Sequence, residues 1–503
     1  MSGSELVLVI DAGSSGLKLY LIDSGGGIVR SVQHKWKMIH DPFFPNIVEY
    51  DKRDFKKILF GLIRELLSGP GLERNNVVGI SCIAQRMGTV FLDGEDNILY
   101  FGPNIDSRGA LVCFELDEEE TRELYRRTGH APPFIFPPYR YLWFLENEEE
   151  TAKKVEKIMS IHDLIVYMLT GEFVTEPTVS SATLLMNIHS DRWDKKALSI
   201  FNIDENILPE IRKTGDFAGY LSEEAKNLLH IFRDIPVILG GGDTQYGVLA
   251  TGSYDEGDMG CVIGHTAPVQ KISDKPLIDE DRRLWTERYV LPGKWVVESN
   301  AGFFGGLIEW FADGFLGHIS DPYTWLDNVL ESIAPEEADV RFFFFHSIMN
   351  AGRMTEYKTL SAIIYPSPAV PFAKKENIKS FAYGLLESLA FALLANLHQV
   401  SEVVKKKGEV GLTGGVTRLR NFIKLFVSAL GEPCKVTKMH NGSALACAAL
   451  TYTKLGYFPN LREAIETIVP ISWIQPNIEH SKNMALKFRR WLDEYKALSC
   501  SDW

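Results

Sequence analysis

Two strand–turn–strand units lie far apart in the sequence and are built alike. The first reads LVLVIDAGSSGLKLYLID over residues 6–23, and the second reads MGCVIGHTAPVQKI over residues 259–272. In each unit an apolar run reaches a turn of small residues and a second run follows, which is typical of a hairpin of buried strands. Because one unit lies in each half of a 503-residue chain, we expect an α/β protein with a duplicated fold and two domains.

The turns of these units contain groups that bind phosphate. Gly13 and Gly16 allow a ligand to approach the first turn closely, and Ser14 and Ser15 add hydroxyl groups. Asp11 ends the preceding strand, where its carboxylate can hold a phosphate-bound metal ion through water. Short glycine motifs are weak signals, so an ordinary tight β-hairpin is the alternative. The presence of a second strand–turn–strand segment of the same kind favours a nucleotide held between the two halves of the protein.

The composition and charge are those of an ordinary globular protein. Hydrophobic residues make up 45% and charged residues 24% of the chain, and the formal net charge is −13. This charge argues against a general nucleic-acid-binding protein, whereas a nucleotide pocket needs only local donors. The cysteines form no CxxC pair, so neither a zinc site nor a disulfide framework is indicated. They are Cys82, Cys113, Cys261, Cys434, Cys447 and Cys500.

The start of the sequence and its apolar runs bear on the location of the protein. Strand-like residues follow Glu5 directly, without a basic segment or a cleavage-like site. We also expect no apolar run that approaches the ~18 residues of a membrane-spanning helix. The sequence therefore favours a cytoplasmic protein with neither a membrane nor a nucleic acid as its partner.

Polar side chains follow two predicted strands in the first half. The strand predicted over residues 77–84 ends in Gln85 and Arg86, at the kind of position where ligands bind in α/β sheets. Arg86 can bind a hydroxylated or anionic ligand, and a surface arginine in a turn is the alternative. Further on, Asp106 and Arg108 share a face of an extended segment, where a structural ion pair is the simpler interpretation.

Three glycines precede an aspartate in the middle of the chain. A strand predicted over residues 234–239 leads into Gly240-Gly241-Gly242, and Asp243 follows at a strand-to-helix junction. A carboxylate there is suited to accept a proton from a substrate hydroxyl. The alternative is that Asp243 only caps the helix.

The remaining patterns predict the elements around these motifs. Helices are predicted at residues 52–67, 148–169, 379–404 and 484–495, and a buried strand at residues 342–345. Residues 410–430 read as strand–GG–helix, in which Gly414 and Gly415 would let an adenine ring or a phosphate approach the helix start.

In this order, the motifs resemble those of the FGGY family of carbohydrate kinases, within the superfamily of actin and Hsp70 ATPases. No single motif is specific for this family, but the order of the motifs along nearly the whole chain is specific for it. The matching motifs are the hairpin at residues 11–18, the Gln85-Arg86 strand end, the turn at 106–108, GGGDTQ at 240–245, the turn at 264–266, the helix at 381–393 and Gly414-Gly415.

The resemblance implies two ribonuclease-H-like domains of the actin-like ATPase type with a cleft between them. Residues 1–247 would form the N-terminal domain, with the sugar site and the first phosphate loop. Residues 248–503 would form the ATP-binding C-terminal domain with a C-terminal helix. ATP and Mg²⁺ are the implied cofactors and a small sugar or polyol the implied substrate, and a homodimer is compatible with the family.

By matching positions, the resemblance also implies roles for individual residues. Asp243 corresponds to the catalytic base, which also meets the substrate and the metal, and Asp11 to the magnesium-associated acid. The residues that correspond to ATP or phosphate contacts are Gly13, Ser14, Ser15, Lys18, Gly264, His265, Thr266, Gly414, Gly415 and Arg418. Those in the substrate region are Gln85, Arg86 and Asp106.

The sequence departs from the family pattern at several positions. His265-Thr266 replaces the usual Thr-Ser of the second phosphate loop, and His265 either donates to phosphate or fills space. IIYPSPAVPF, residues 363–372, replaces a usual Gly-x-x-Gly segment. Ile135 stands where glycerol kinases carry a substrate-contacting tyrosine. Residues 176–178 and the surroundings of Gln245 look like autoinducer-2 kinases and uncharacterised sugar kinases, and this resemblance names no substrate.

We therefore expect ATP-dependent phosphorylation of a hydroxyl of a small sugar or polyol by a xylulose kinase-like or autoinducer-2 kinase-like enzyme rather than a glycerol kinase-like one. One alternative is an actin-like ATPase that acts through partner binding, although this gives Gln85, Arg86, Asp106 and Asp243 no reason to converge. Another is a degenerate kinase homologue that binds sugar without turnover, which the altered second loop suggests.

Overall fold

The structure is a computed structural model that describes residues 5–68, 76–112, 116–131, 134–334, 338–352, 360–369 and 376–499. Some residues named above lie outside these ranges. They are Cys113, Cys500 and residues 370–372 of the segment that replaces Gly-x-x-Gly.

The described residues form strands and helices that alternate along the chain. The strands are β1 (Leu6–Gly13), β2 (Gly16–Asp23), β3 (Ile28–Lys35), β4 (Met38–His40), β5 (Val48–Tyr50), β6 (Val77–Ala84), β7 (Thr89–Leu92), β8 (Ile98–Gly102), β9 (Lys157–Ser160), β10 (Val174–Thr175), β11 (Met186–Asn187), β12 (Arg192–Trp193), β13 (Glu210–Ile211), β14 (Phe217–Tyr220), β15 (Pro236–Gly242), β16 (Met259–Val262), β17 (Pro268–Ser273), β18 (Trp285–Arg288), β19 (Trp295–Asn300), β20 (Arg341–Phe344), β21 (Ser361–Ile364), β22 (Val410–Thr413), β23 (Cys434–Thr437) and β24 (Ile471–Ile474).

The α-helices are α1 (Phe55–Leu67), α2 (Glu118–Thr128), α3 (Pro137–Asn147), α4 (Glu149–Ala152), α5 (Ile161–Thr170), α6 (Pro177–Ser180), α7 (Lys195–Ile200), α8 (Glu223–Leu229), α9 (Asp243–Ala250), α10 (Phe304–Phe315), α11 (Pro322–Ser332), α12 (Ile378–Val403), α13 (Arg420–Leu430), α14 (Gly442–Lys454), α15 (Leu461–Ile468) and α16 (Ile478–Ser499). Short 3₁₀ helices cover Arg108–Leu111, Ser181–Thr183, Glu205–Ile207 and Gly415–Arg418.

The chain divides into two compact units, and each unit is discontinuous in sequence. The first contains Met1–Ala250, Asp274–Val296 and Asn441–Pro470, and the second contains Thr251–Ser273, Val297–His440 and Ile471–Trp503. The single boundary expected between residues 247 and 248 lies near the end of the first segment. A single boundary does not describe the two later segments that return to the first unit. The functional roles expected for the two domains stay predictions.

The first unit is built on a six-stranded sheet of order β14-β15-β6-β1-β2-β3. Its three central strands, β15, β6 and β1, are parallel, while β2 and β3 extend the sheet as an antiparallel hairpin and β14 closes the other side. The carboxyl ends of the three parallel strands therefore lie together at one edge, which is where α/β sheets bind ligands.

Helices cover both faces of this sheet. Alternate residues of β1, beginning with Leu6 and Leu8, share a buried cluster with Leu59 and Ile63 of α1. On the other face, α14 contacts β1, β6 and β15. There Tyr452 Oη donates to the carbonyl oxygen of Ile22 at 2.7 Å.

The second unit repeats this plan. Its sheet contains β19, β17, β16, β22, β23 and β24 in that order. The strands β16, β22 and β23 are parallel, β17 forms the antiparallel hairpin with β16, and β24 is antiparallel to β23. The duplicated α/β fold predicted from the two hairpins is confirmed.

One helix corrects an expectation about membrane spans. Among the described residues, α12 is long and apolar enough by composition to cross a membrane, although no such run was expected. However, 83% of its apolar window is buried within the fold, where α12 packs on α13, β17 and β20. Its apolar character is therefore that of a core helix.

The helix predicted over residues 148–169 was wrong in its first half. Here α4 ends at Ala152, the strand β9 pairs antiparallel with β7, and α5 begins only at Ile161. Ser160 starts this helix with a capping box, in which its side chain accepts from Asp163 N and the Asp163 carboxylate accepts from Ser160 N. The predicted cap at Gly171 is confirmed.

Candidate active site

Three neighbouring strand ends in the first unit bring the predicted catalytic side chains together. In the sheet register, Asp11 of β1 is level with Ile83 of β6, and Gly241 of β15 is level with the same residue. Arg86 follows the end of β6, and Asp243 follows the end of β15. The parallel direction of the strands thus places two carboxylates and a guanidinium at one edge of the sheet.

The glycines before Asp243 are required by close packing. A Cβ atom at Gly240 would collide with the carbonyl oxygen of Cys82 on β6. Gly241 has φ of 151°, and a Cβ atom there would meet the side chains of Glu176 and Thr178. Thr178 Oγ1 also accepts a hydrogen bond of 2.8 Å from the backbone N–H of Gly242, which fixes the backbone just before Asp243.

Asp243 is the first residue of α9. Its carboxylate interacts with the neighbouring Thr244, whose hydroxyl lies 3.3 Å away. Burial raises the pKa of the Asp243 carboxyl, and the charge of Arg86 opposes this rise. A carboxylate with a raised pKa is a better proton acceptor, and the role of Asp243 as a base stays a prediction.

The carboxylate of Asp243 influences that of Asp11. Burial and the neighbouring charge of Asp243 raise the pKa of Asp11 to about 7, against the opposing charge of Lys18. Lys18 lies level with Asp11 on the adjacent strand β2. Two carboxylates that disfavour each other's charge form a place where a cation is stabilised. The described residues contain no cluster of three or more potential metal ligands here or elsewhere.

Arg86 is held by a buried carboxylate that the sequence reasoning missed. Its guanidinium donates to Glu287 of β18, and the side chains of Arg86 and Glu287 are 7% and 0% exposed. The amide of Gln245 donates to the same carboxylate at 2.6 Å. Glu287 stands within WTERYV, where a glutamate in a strand-like run was the available signal for a buried ionic partner.

His130 completes this buried group. Its Nε2 lies 3.1 Å from a carboxylate oxygen of Glu287, and its Nδ1 lies 3.0 Å from the carbonyl oxygen of Thr128. Both partners of the ring are hydrogen-bond acceptors. Trp285 packs beside the ring of His130, with 5.3 Å between the ring centroids. The group therefore combines charge pairing with apolar walls.

Gln85 is buried behind the first phosphate turn. Its backbone N–H donates to Ala12, and its side-chain amide donates to Tyr50 Oη at 2.9 Å. Tyr50 Oη in turn lies 3.1 Å from the carbonyl oxygen of Ser14, and Trp36 donates to that of Gly13 at 2.7 Å. Gln85 and two aromatic residues thus anchor the turn from inside.

The side chains of the turn itself face outward. Ser14 and Ser15 are exposed, while Gly13 and Lys18 are partly exposed. Their backbone is fixed by the anchoring residues, so the turn is a preorganised group of donors.

Asp106 is the predicted substrate residue that lies deepest. It is 0% exposed, and its carboxylate accepts from the backbone of Val48, from Tyr100 Oη and from Arg108 Nε at 2.8 Å. The ion pair with Arg108, which was the simpler interpretation from the sequence, is present. The roles of Gln85 and Asp106 in substrate binding stay predictions, and both side chains make internal hydrogen bonds.

The second unit forms a comparable group of turns at the ends of its own parallel strands. Gly264 follows the end of β16, and its carbonyl oxygen accepts from Gly305 N at 3.1 Å at the start of α10. Gly414 follows β22 with φ of 105°, and a Cβ atom there would lie 2.5 Å from the carbonyl oxygen of Ile263. The two predicted ATP-binding motifs of this unit are therefore neighbours.

The side chains in these turns are open to solvent. His265 and Thr266 are exposed, and His265 packs edge-on against Phe303 with 4.3 Å between ring centroids. Its Nδ1 lies 4.0 Å from the carboxylate of Glu309. Gly415 and Arg418 are also exposed, and a Cβ atom at Gly415 would meet no protein atom within 4 Å.

The chain is similar in sequence and in fold to known proteins. Residues 6–250 match the N-terminal domain of the FGGY family of carbohydrate kinases. The chain is 24% identical over 480 residues to the autoinducer-2 kinase of Escherichia coli strain K12, covering 92% of this chain and 88% of that protein.

Two solved structures share the fold over almost their whole length. The xylulose kinase of Lactobacillus acidophilus has a TM-score of 0.86 and 20% identity, with 99% of each chain covered. The glycerol kinase of Plasmodium falciparum, solved with ADP, has a TM-score of 0.85 and 20% identity, again with 99% of each chain covered. Together with the motifs, the match over residues 6–250 and these similarities over nearly the whole chain lead to one conclusion: the FGGY family of carbohydrate kinases is the family that this chain resembles.

Proposed function

We propose that this protein transfers the terminal phosphoryl group of ATP to a hydroxyl group of a small sugar or polyol. The observation that carries the proposal is the half-buried Asp243, whose raised pKa suits a proton acceptor and whose neighbour Arg86 can bind hydroxyl groups. ATP is the phosphate donor of FGGY kinases.

In the proposed reaction, Asp243 is the catalytic base. Phosphoryl transfer depends mostly on positioning and charge neutralisation, so a base has only to orient the acceptor hydroxyl and take its proton. Asp243 has the fixed backbone that such positioning needs, because Thr178 holds Gly242 from behind. Arg86 would bind another oxygen of the acceptor.

We further propose that Mg²⁺ accompanies ATP and lies near Asp11 and Asp243. The donor set fits this ion, since Mg²⁺ is usually bound by one or two carboxylates together with water and substrate phosphates. Burial and the neighbouring charge of Asp243 raise the pKa of Asp11, which is the local reason that a cation would be stabilised there. When bound, the ion would neutralise phosphate charge, while Asp11 and Asp243 hold its water shell.

The phosphates of ATP would be bound by the turns. Backbone N–H groups and hydroxyls of Gly13, Ser14 and Ser15, with Lys18, form one set of donors. Gly264, His265 and Thr266 form the other, and Gly414, Gly415 and Arg418 would contact the adenosine. The exposed side chains of these turns and the open space beside Gly415 suit such contacts.

The acceptor is proposed as a class and not as a single compound. Similar proteins include an autoinducer-2 kinase and a xylulose kinase, while a glycerol kinase shares the fold equally well. Ile135 in place of a tyrosine favours an acceptor other than glycerol. A cytoplasmic location and a homodimer fit this metabolic role, and neither a nucleic acid nor a membrane is proposed as a partner.

An actin-like ATPase that works through partner binding is not favoured. Such a protein has no need for the buried arrangement of Arg86, Glu287 and Gln245 beside Asp243. The degenerate kinase homologue differs from the proposed enzyme in one measurable property, which is turnover.

The test is an ADP-release assay of the purified protein with Mg²⁺-ATP and a panel of sugars, polyols and sugar acids. We expect one acceptor class to stimulate ADP release well above the background rate. Acceptor binding without ADP release would identify a degenerate homologue. ADP release that no acceptor changes but that a protein partner stimulates would favour the ATPase.

A further inference from the structure

The buried carboxylate of Glu287 changes what Arg86 can attract. An arginine at an acceptor site ordinarily binds carboxylates through its fork of donors, which would favour sugar acids as substrates. Here Nη1 of the guanidinium already donates to a carboxylate of the protein itself. Arg86 therefore presents hydrogen-bond donors whose positive charge is largely balanced.

Glu287 is ionised in this arrangement. Burial alone would raise the pKa of its carboxyl group, but the charge of Arg86 and the contact with His130 outweigh burial and hold the pKa below its ordinary value. The negative charge thus persists at neutral pH, although the side chain is 0% exposed.

The ion pair is also fixed in place. Gln245 donates to one oxygen of Glu287 at 2.6 Å, and His130 lies 3.1 Å from the other. Both of these side chains are 0% exposed. Separating a buried pair leaves an uncompensated charge, which is costly, so an incoming carboxylate cannot easily displace Glu287 from Arg86.

The charge of Glu287 also acts on an incoming ligand. A sugar acid bound beside Arg86 would meet Glu287 as a like charge, whereas an uncharged polyol would meet only hydrogen-bond partners. Such repulsion is a common way for proteins to reject a competing ligand.

We propose that Glu287 determines specificity by making the acceptor site select uncharged polyhydroxyl compounds over sugar acids. This inference rests on the proposed function, because it assumes that the acceptor lies beside Arg86 and Asp243. In this role Glu287 is a positioning residue that acts through Arg86 and through its own charge.

The test compares acceptors of equal carbon number that differ in charge. Ribitol with ribonate and glucitol with gluconate are two such pairs, and their binding to the full-length protein is measured by calorimetry at neutral pH. For the wild-type protein we expect the acid of a pair to bind at least roughly tenfold more weakly than the polyol, as for like charges at an effective dielectric of about 20.

Two variants separate the charge of Glu287 from its packing. Glu287→Gln keeps the shape of the side chain and should reduce the ratio of polyol affinity to acid affinity at least about fivefold. Glu287→Asp keeps the charge and should retain the preference. The matched control is Glu387→Gln, which removes another buried glutamate, one that pairs with Lys487 in the second unit. It should leave the preference unchanged.

Several outcomes would overturn the inference. They are equal binding of acid and polyol to the wild-type protein, an unchanged preference in folded Glu287→Gln, and no binding of either compound to any of the proteins. If Glu287→Gln does not fold, the comparison of acid and polyol binding to the wild-type protein still tests the inference. Phosphorylation is followed separately by ADP release. Selective binding without phosphorylation would contradict the proposed function alone, and phosphorylation of acids and polyols alike would contradict this inference alone.

Discussion

Burial raises the pKa of the Asp243 carboxyl, and Arg86, which follows the end of the neighbouring parallel strand, opposes that rise with its charge. The balance keeps a carboxylate with a raised pKa beside the guanidinium group that we propose to bind the acceptor. This relationship leads to the first two predictions.

Asp243→Asn should lower kcat about 10²-fold or more, because the amide cannot take the proton of the acceptor hydroxyl. Its thermal stability and its affinity for ATP should stay near those of the wild-type protein. Steady-state kinetics and a binding titration measure these effects. Asp204→Asn, at an exposed position, serves as the control. Turnover close to that of the wild type would remove Asp243 from the role of base.

Arg86→Ala should weaken acceptor binding much more than ATP binding. Arg86→Lys should rescue little, because a single ammonium group cannot both pair with Glu287 and reach the acceptor as a guanidinium does. Separate titrations with the acceptor and with ATP distinguish the two effects. A loss of ATP affinity with unchanged acceptor affinity would place Arg86 in another part of the reaction.

Gly414 and Gly415 form a matched pair for testing the adenosine site. Gly414→Ala should lower Tm, because φ of 105° is strained for alanine and its Cβ atom would lie 2.5 Å from the carbonyl oxygen of Ile263. Gly415→Ala should leave Tm unchanged, since no protein atom lies within 4 Å of the new Cβ atom. It should nevertheless weaken ATP binding if a nucleotide approaches there. Normal ATP affinity of Gly415→Ala would argue against that contact.

His265 in the second turn allows a test of phosphate donation. If its ring donates to phosphate, His265→Ala should weaken ATP binding by roughly 1–3 kcal/mol, as for other hydrogen bonds to charged groups. Adenosine binding should change little, because adenosine lacks the phosphates. If His265 only packs against Phe303, then His265→Asn or His265→Thr should bind ATP normally. Calorimetric titrations with ATP and with adenosine distinguish the two roles.

We predict that the stability of the protein depends on pH through Lys271 in the second hairpin. Burial lowers the pKa of Lys271 below its ordinary value of 10.5, and its Nζ donates to Ser401 Oγ at 3.0 Å. The folded state therefore binds fewer protons than the unfolded state, and the destabilisation is fully present below the folded pKa. It is relieved as the pH rises through the folded pKa towards 10.5.

Lys271→Met should consequently raise Tm at about pH 7, and the gain should shrink towards about pH 10. Thermal unfolding at several pH values measures it. Lys424→Met, at an exposed position on α13, is the control and should show no such dependence. A gain that is constant with pH would assign the effect to packing.

The residues of the candidate site that lie at the ends of strands were predictable from the sequence. Apolar runs give the strands β1, β6 and β15, and the parallel order of an α/β sheet then brings Asp11, Arg86 and Asp243 to one edge. The spacing of these residues from the strand ends is local information. It needs no knowledge of the distant parts of the chain.

The partners of these residues were not predictable in the same way. Arg86 and Glu287, which are in contact, are 201 residues apart in the sequence. His130 and Glu287, which are also in contact, are 157 residues apart. No local pattern encodes such pairings. Similarly, the short strand β9 was absorbed into a predicted helix, because its pairing with β7 overrides the helical pattern of its own sequence.

The discontinuous first unit has a consequence for synthesis on the ribosome. The helix α14, which covers one face of the sheet at β1, β6 and β15, begins roughly 190 residues after Ala250. At translation rates of about 5–20 residues per second, this face stays uncovered for roughly 10–40 s after those strands have been made. The nascent chain thus exposes an apolar sheet to the cytosol during this interval, and binding by a chaperone would protect it until α14 emerges.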